Sequence, residues 1–266
     1  MRRLVLFILT IAIIVIGIRQ SPLRAQSPDP MVLRRNVELT GGVWPGDFNG
    51  DGVTDLAGGS RVQLGNGDGT FKAPTDIGYP GAVLGVGDFN RDGKLDVVAA
   101  QGRPSYEVAV VLGNGDGTFG SSWHVSTGAS YALSADLDGD GNRDVVLGNE
   151  DDVRVFQNLG TGSFVEVVSL PGLMFPKDGV IADVNGDGKR DILIGNHYWY
   201  KVSVFLNQGA FTFTAADVTF GGQANDVTAA DFNGDGKLDL AIASASGGDG
   251  DWWFRGGPRL RRAGQW

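Results

Sequence analysis

The chain has 266 residues, no cysteine, 43 glycines and a formal charge of −9, with 31 acidic against 22 basic side chains. Such an acidic balance excludes a phosphate-backbone groove, which calls for a basic stripe. The missing cysteines exclude disulfide staples and a lipid-bearing thiol, and dense glycines between β-branched runs leave no helical window of useful length, so the chain reads as all-β.

Residues 1–26 read as an export signal. Arg2 and Arg3 give a basic start and Leu4 to Ile18 an apolar run of 15, short for a membrane span of about 20 residues. A cleavage point follows Ala25, with an uncleaved anchor as the alternative. Either outcome puts the rest outside the cytoplasm, in an extracellular, periplasmic or cell-surface setting. Residues 27–250 form the repeated body and 251–266 an atypical tail, whose end, GGPRLRRAGQW, carries no acid.

The body writes a nine-residue acidic loop five times, at spacings of 41, 48, 47 and 48 residues. DFNGDGVTD begins at Asp47, DFNRDGKLD at Asp88, DLDGDGNRD at Asp136, DVNGDGKRD at Asp183 and DFNGDGKLD at Asp231. Oxygen side chains fall at positions 1, 3, 5 and 9, and position 7 offers a backbone carbonyl. The ligand sets are Asp47, Asn49, Asp51, Val53 and Asp55; Asp88, Asn90, Asp92, Lys94 and Asp96; Asp136, Asp138, Asp140, Asn142 and Asp144; Asp183, Asn185, Asp187, Lys189 and Asp191; and Asp231, Asn233, Asp235, Lys237 and Asp239. Calcium suits such all-oxygen sets because it accepts six to eight oxygens in loose geometry, whereas magnesium demands a stricter octahedron. An isolated Asp-Gly or Asn-Gly turn needs no metal, but a plain turn also needs no Asp at both positions 1 and 9, five times over. The opening resembles an EF-hand loop, yet position 12 lacks its Glu and the flanks are β-type.

These loops hold 16 of the 31 acidic residues. Without residues 1–26 the formal charge is −13, and five calcium ions would bring it to −3. One ion per repeat points to a structural role, since a catalytic ion keeps open positions for substrate or water. Position 4 is Gly in four loops and Arg91 in the second, which makes the second loop the candidate weakest site.

A period of 41 to 48 residues is the length of a four-stranded propeller blade. The third unit reads as four strands: Ala132 to Ala135, DVVLG from Asp144, DVRVFQ from Asp152 and SFVEVVSL from Ser163. A second repeated turn precedes the fourth strand, as LGNGDGTF from Leu64 and from Leu112, NLGTGSF from Asn158 and LNQGAFTF from Leu206. The acidic loop, following strand and LGNGDGTF hairpin together resemble the FG-GAP or VCBS repeat family, which builds the head of integrin α-subunits, over about residues 32 to 246. The resemblance implies a β-propeller with calcium loops at one end and a partner-binding face at the other. A closed five-bladed ring is the preferred reading, with Val32 to Leu39 closing it as an outer strand; a truncated larger propeller is the rival. GDWWFRGG is read as a third strand of the last unit.

The expected opposite face carries His197, Tyr198, Trp199 and Tyr200 in one hairpin, four rings suited to a protein or glycan ligand or to packing on a neighbouring blade. Tyr106, Tyr131 and Phe175 are placed in loops that share this face, and Phe48, Phe89 and Phe232 at loop position 2 are read as core anchors. Signals for an enzyme are few. Gly115, Gly117 and Gly120 spell G-x-G-x-x-G inside a hairpin that opens no helix, no G-x-S-x-G occurs, and His124 and His197 lie in different units. The expected function is an exported calcium-stabilised binding, adhesion or surface-assembly module without turnover. A polysaccharide-active enzyme and a lectin-like sugar binder are the alternatives.

Overall fold

Each acidic loop leads into a short run that is apolar at consecutive positions, not alternate ones, and rich in β-branched residues after the second, third and fourth loops. This is the pattern of a strand covered on both faces. In a computed structural model the structure describes residues 39, 42–101, 107–125, 128–149, 152–173, 175–198, 200–219, 223–244, 251–255 and 261–262. They form five four-stranded antiparallel sheets, each in sequence order. The first holds β1 (Val43–Gly46), β2 (Asp55–Gly58), β3 (Arg61–Gln63) and β4 (Thr75–Asp76). The second holds β5 (Ala82–Gly87), β6 (Asp96–Ala100), β7 (Val108–Gly113) and β8 (Phe119–Val125). The third holds β9 (Tyr131–Ala135), β10 (Asp144–Gly148), β11 (Val153–Asn158) and β12 (Phe164–Leu170). The fourth holds β13 (Pro176–Ala182), β14 (Asp191–Asn196), β15 (Lys201–Gly209) and β16 (Thr212–Thr219). The fifth holds β17 (Ala224–Ala230), β18 (Asp239–Ser244), β19 (Asp251–Arg255) and β20 (Arg261–Arg262).

The core lies between successive sheets, and the second strand of each serves two interfaces at once. Val97 of β6 packs toward the first sheet with Phe48 and Val62, while its neighbour Val98 packs toward the third with Val145 and Phe156. Val145 and Val146 divide in the same way, as do Ile192 and Leu193. Alternate strand residues point to opposite faces, so a strand between two sheets needs an apolar residue at every position. The outer strands β8, β12 and β16 touch protein on one face and are correspondingly exposed on the other.

Loop position 2 staples each sheet to the next. The Phe48 ring meets Phe119 at 6.1 Å between centroids and the Phe89 ring meets Phe164 at 5.9 Å. Carbonyls at this position accept hydrogen bonds from the next sheet: Phe48 O from Gly117 N (3.0 Å), Phe89 O from Asn158 Nδ2 (2.7 Å) and Leu137 O from Asn207 Nδ2 (2.7 Å).

Two expectations change. The inner strands pack in succession from β1 through β5, β9 and β13 to β17, but among the described residues no comparable packing joins β17 to β1, so a propeller-like array is present without a closed ring. Residues 32–38, expected to close it, lie outside the described residues, as do residues 1–26. Phe232 is 42% exposed and is not a core anchor, because no sheet beyond the fifth lies over it among the described residues. As expected of GDWWFRGG, Asp251–Arg255 forms the third strand of the fifth sheet, and Arg261–Arg262 forms its fourth.

Candidate metal centre and opposite face

The strand registers Gly46↔Asp55, Gly87↔Asp96, Ala135↔Asp144, Ala182↔Asp191 and Ala230↔Asp239 place every acidic loop at the same end of its sheet, between first and second strands. Within a loop, short acidic side chains satisfy the backbone that curls around them. Asp136 Oδ1 and Oδ2 accept Gly139 N (2.7 Å) and Gly141 N (2.9 Å), Asp138 accepts Asp140 N (3.1 Å), and Asp140 accepts Asn142 N (2.7 Å). Position 4 is left-handed throughout, with φ of 74°, 85°, 76° and 78° at Gly50, Gly139, Gly186 and Gly234, and the second loop forces Arg91 to 61°. There Asp88 Oδ1 accepts Asp92 N at 3.2 Å, whereas its counterparts Asp47, Asp136, Asp183 and Asp231 accept the position-4 N–H at 2.6 to 2.7 Å.

Position 9 does something the spacing alone did not disclose. Asp55, Asp96, Asp144 and Asp191 have no exposed surface, and each spans two backbone donors. Asp144 Oδ2 accepts Leu137 N at 2.9 Å and Oδ1 accepts Asn158 N at 2.9 Å, tying the loop to the hairpin between third and fourth strands. Asp96 likewise joins Phe89 N and Gly113 N, and Asp191 joins Val184 N and Asn207 N. Burial pushes the Asp96 and Asp144 carboxyls up to about 6 and raises Asp55, against the pull of these hydrogen bonds. The exposed acids at position 5 go the other way: the N–H of Val53 lowers Asp51 and that of Lys189 lowers Asp187.

In the third loop one carboxylate oxygen each from Asp136, Asp138 and Asp144 lies within 4.8 Å of the other two. Asn142 Oδ1 is buried there without a hydrogen-bond partner. Hard anionic oxygens on a hairpin, one of them desolvated, fit calcium. In the other loops position 3 is Asn49, Asn90, Asn185 or Asn233. The position-5 carboxylates turn to loop neighbours: Asp140 to Asn142 Nδ2 (2.8 Å), Asp51 to Asn49 Nδ2 (2.9 Å) and Asp187 to Lys189 Nζ (3.2 Å).

Pro176↔Asn196 and Asn196↔Lys201 close the far ends of their strand pairs, so the His197–Tyr200 hairpin stands opposite the acidic loops. His197 Nδ1 is 2.7 Å from Asn225 Oδ1 of the fifth sheet. Tyr198 meets Phe175 edge-on at 4.9 Å and His197 at 4.8 Å. Phe175, Tyr198 and Tyr200 are 37%, 50% and 49% exposed. Phe175 and Tyr200 hold φ of 49° and 52°, a strained setting for bulky side chains that calls for support from the fold. Trp199 and Tyr106 lie outside the described residues. Tyr131 stands at the expected end of its sheet, paired with Gly148, but in a strand and not a loop: it opens β9 and its ring folds over Gly148, where a side chain would collide with it, so Tyr131 is buried.

Two features escaped the sequence. Asn158 and Asn207 are buried inter-sheet ties whose signal was their recurrence at one hairpin position. Ser122, His124 and Glu107 form a hydrogen-bonded chain, with His124 Nδ1 2.9 Å from Glu107 and Nε2 facing Ser122 Oγ, formed because Ser122 and His124 share a face of β8.

Residues 47–99, 88–135, 136–194 and 183–242 match the FG-GAP-like repeat. No curated protein sequence matches the chain. Among solved structures it is similar to a lectin from Agrocybe aegerita, whose structure concerns recognition of non-reducing terminal N-acetylglucosamine, at 20% identity and a TM-score of 0.56, over 83% of this chain and 65% of the lectin. It is also similar to BBS1N, solved in complex with ARL6DN, at 11% identity and a TM-score of 0.51, over 80% of this chain and 78% of that one. The chain thus spans about 65% of the lectin's length, and identities this low speak to fold alone. The four repeat matches run without a gap from residue 47 to 242 and take in all five acidic loops, and the chain belongs to the FG-GAP-like repeat family.

Proposed function

We propose that the protein is an exported, calcium-stabilised binding module that recognises a protein or glycan through the end opposite its acidic loops. The observation that carries this reading is the exposed ring pair of Phe175 and Tyr198 with exposed Tyr200 in the same hairpin, Phe175 and Tyr200 in left-handed backbone and His197 tied to Asn225 of the next sheet. Exposed rings of this kind stack on sugars or fill partner pockets. The same architecture serves sugar recognition in the Agrocybe aegerita lectin and protein recognition in BBS1N, which makes either ligand class compatible with the fold.

Calcium supplies charge compensation to the loops when bound. The chain's own residues do the rest: position 9 clamps loop to hairpin and position 2 clamps sheet to sheet, and in the third loop Asp136, Asp138 and Asp144 would hold the ion. Extracellular calcium modules bind at about 10⁻⁴ to 10⁻³ M. At calcium ten times the dissociation constant each site adds about 1.4 kcal/mol, so five independent sites would add roughly 7 kcal/mol, comparable with the stability of a typical domain. Ring closure, by the N-terminal segment or by further repeats, belongs to the same proposal.

We read the Ser122, His124 and Glu107 chain as a surface tie and the protein as non-catalytic. Ser122 and His124 sit two residues apart on one exposed strand, and no pair of donors for an oxyanion is among their described hydrogen-bond partners. Labelling of Ser122 by a fluorophosphonate would overturn that.

The experiment for the module is thermal unfolding in EDTA and across a calcium titration with magnesium as control, paired with a glycan array probed by wild type and Tyr198→Ala. A calcium-specific rise in Tm and array binding lost in Tyr198→Ala support the reading. No calcium shift removes the metal, and array binding indifferent to Tyr198 removes the face.

A further inference from the structure

A cavity of about 700 Å3 opens between the third and fourth acidic loops, within the rough 300–1,000 Å3 span of small-ligand sites. Leu137 and Ile181 give it apolar surface, Ser134 and Asp138 give hydrogen-bonding surface, and Arg143 and Arg190 line it as well.

The two arginines occupy loop position 8, where the other loops have Thr54, Leu95 and Leu238. Position 8 leans back over the inner strand of the preceding sheet. Leu95 lies against Gly46 of β1, and Arg143 against Gly87 of β5, with Nε 3.2 Å from where a β-carbon would stand. Basic residues at this position therefore occur in two adjacent units, and both reach the same cavity. Arg143 is held there by its own sheet, donating from Nη2 to Ser134 O at 3.0 Å and to Ser134 Oγ at 3.1 Å. Among the described residues neither guanidinium has an ion-pair partner, whereas the adjacent Lys189 is engaged by Asp187 at 3.2 Å.

Asp136 and Asp138 line the same cavity. The third loop carries four carboxylates, Asp136, Asp138, Asp140 and Asp144, and a calcium ion held there would offset two of those charges and weaken their repulsion of an anion placed at the arginines. We propose that this cavity binds an acidic sugar, a uronate residue, whose carboxylate pairs with Arg143 and Arg190 and whose hydroxyls bond Ser134 and the outer oxygens of the third loop. Guanidinium forks match a carboxylate in two-point geometry. The mixture of donors, acceptors and small apolar surface suits a polyhydroxylated ring, which can turn neutral hydroxyl donors toward Asp136 and Asp138 while its carboxylate meets the arginines; a bare oxyanion has no such donors. This site lies at the end of the molecule away from the aromatic face, and its charge balance rests on the calcium reading of the third loop.

Isothermal titration with digalacturonate, too short to gel with calcium, tests it on the full chain in calcium and in EDTA. Inorganic phosphate and neutral digalactose serve as comparison ligands. Digalacturonate should bind in calcium and weaken at least about tenfold in Arg143→Ala and in Arg190→Ala, each retaining the calcium-dependent rise in Tm, while Tyr198→Ala binds as wild type. Phosphate binding as tightly would overturn the sugar and leave a generic oxyanion site. Failure of digalacturonate to bind a sample whose Tm still rises with calcium would sink this proposal and spare the metal, and loss of both would sink the two together.

Discussion

Replacing Asp144 by Ala separates the two jobs of an acidic loop. Its carboxylate accepts two N–H groups, from Leu137 and Asn158, each at 2.9 Å in a site without exposed surface. Ala strands both donors where water does not reach, at about 1–3 kcal/mol each, or roughly 2–6 kcal/mol together, against a typical domain stability of about 5–15 kcal/mol. Asp136→Ala removes bonds to Gly139 and Gly141 as well, but those donors are exposed and water replaces the lost acceptor. Urea unfolding followed by tryptophan fluorescence, in EDTA and in saturating calcium, reads the difference. In EDTA Asp144→Ala should lose several kcal/mol and Asp136→Ala less than about 1 kcal/mol. Calcium should then stabilise both variants less than wild type by one site's share, about 1.4 kcal/mol at ten times the dissociation constant. Equal losses in EDTA would refute the reasoning, because they would make position 9 an ordinary ligand and not a clamp.

Arg91→Gly should raise stability by about 1 kcal/mol, the left-handed penalty at a φ of 61°, which a Tm gain of roughly 2–4 °C would report; an unchanged or lower Tm would show the penalty offset elsewhere. Asn207→Ala should cost roughly 2–4 kcal/mol, since its amide donates to Leu137 O and Arg190 O and its Oδ1 accepts Gly209 N; a loss below about 0.5 kcal/mol would show that water takes over these bonds. Burial holds the Asp178 carboxyl above its ordinary range and Asp226 adds repulsion. A raised carboxyl favours the protonated form in the folded state, so Asp178 costs stability at neutral pH and returns it as pH falls through the folded value toward about 3.9. Asp178→Asn, which keeps an acceptor for Gly179 N, should therefore raise Tm at neutral pH by an amount that fades toward pH 4, and a lower neutral Tm would contradict this.

The repeat was legible in the sequence because its chemistry is local. Asp at positions 1 and 9 with Gly at 4 and 6 is enough to specify a tight loop, and the doubly apolar run after it is enough to specify a strand buried on both faces. The strands of the third unit fall within a residue of their reading for the same reason: period-2 patterning and glycine turns act over a few residues. Other features depend on what lies across an interface, which no single unit encodes. Phe48, Phe89 and Phe232 share one loop position, yet two are buried by a following sheet and Phe232 is not. Tyr131 looks like a loop residue until Gly148 beside it supplies room for its ring. Sequence by itself determined the repeat, the all-oxygen loops and the sheet-forming strands, since each is set by neighbours along the chain. Tertiary structure alone decided the clamp role of position 9, the exposure of Phe232, and the meeting of Arg143 with Arg190 in one cavity, because each depends on packing between sheets whose contacts are tens of residues apart.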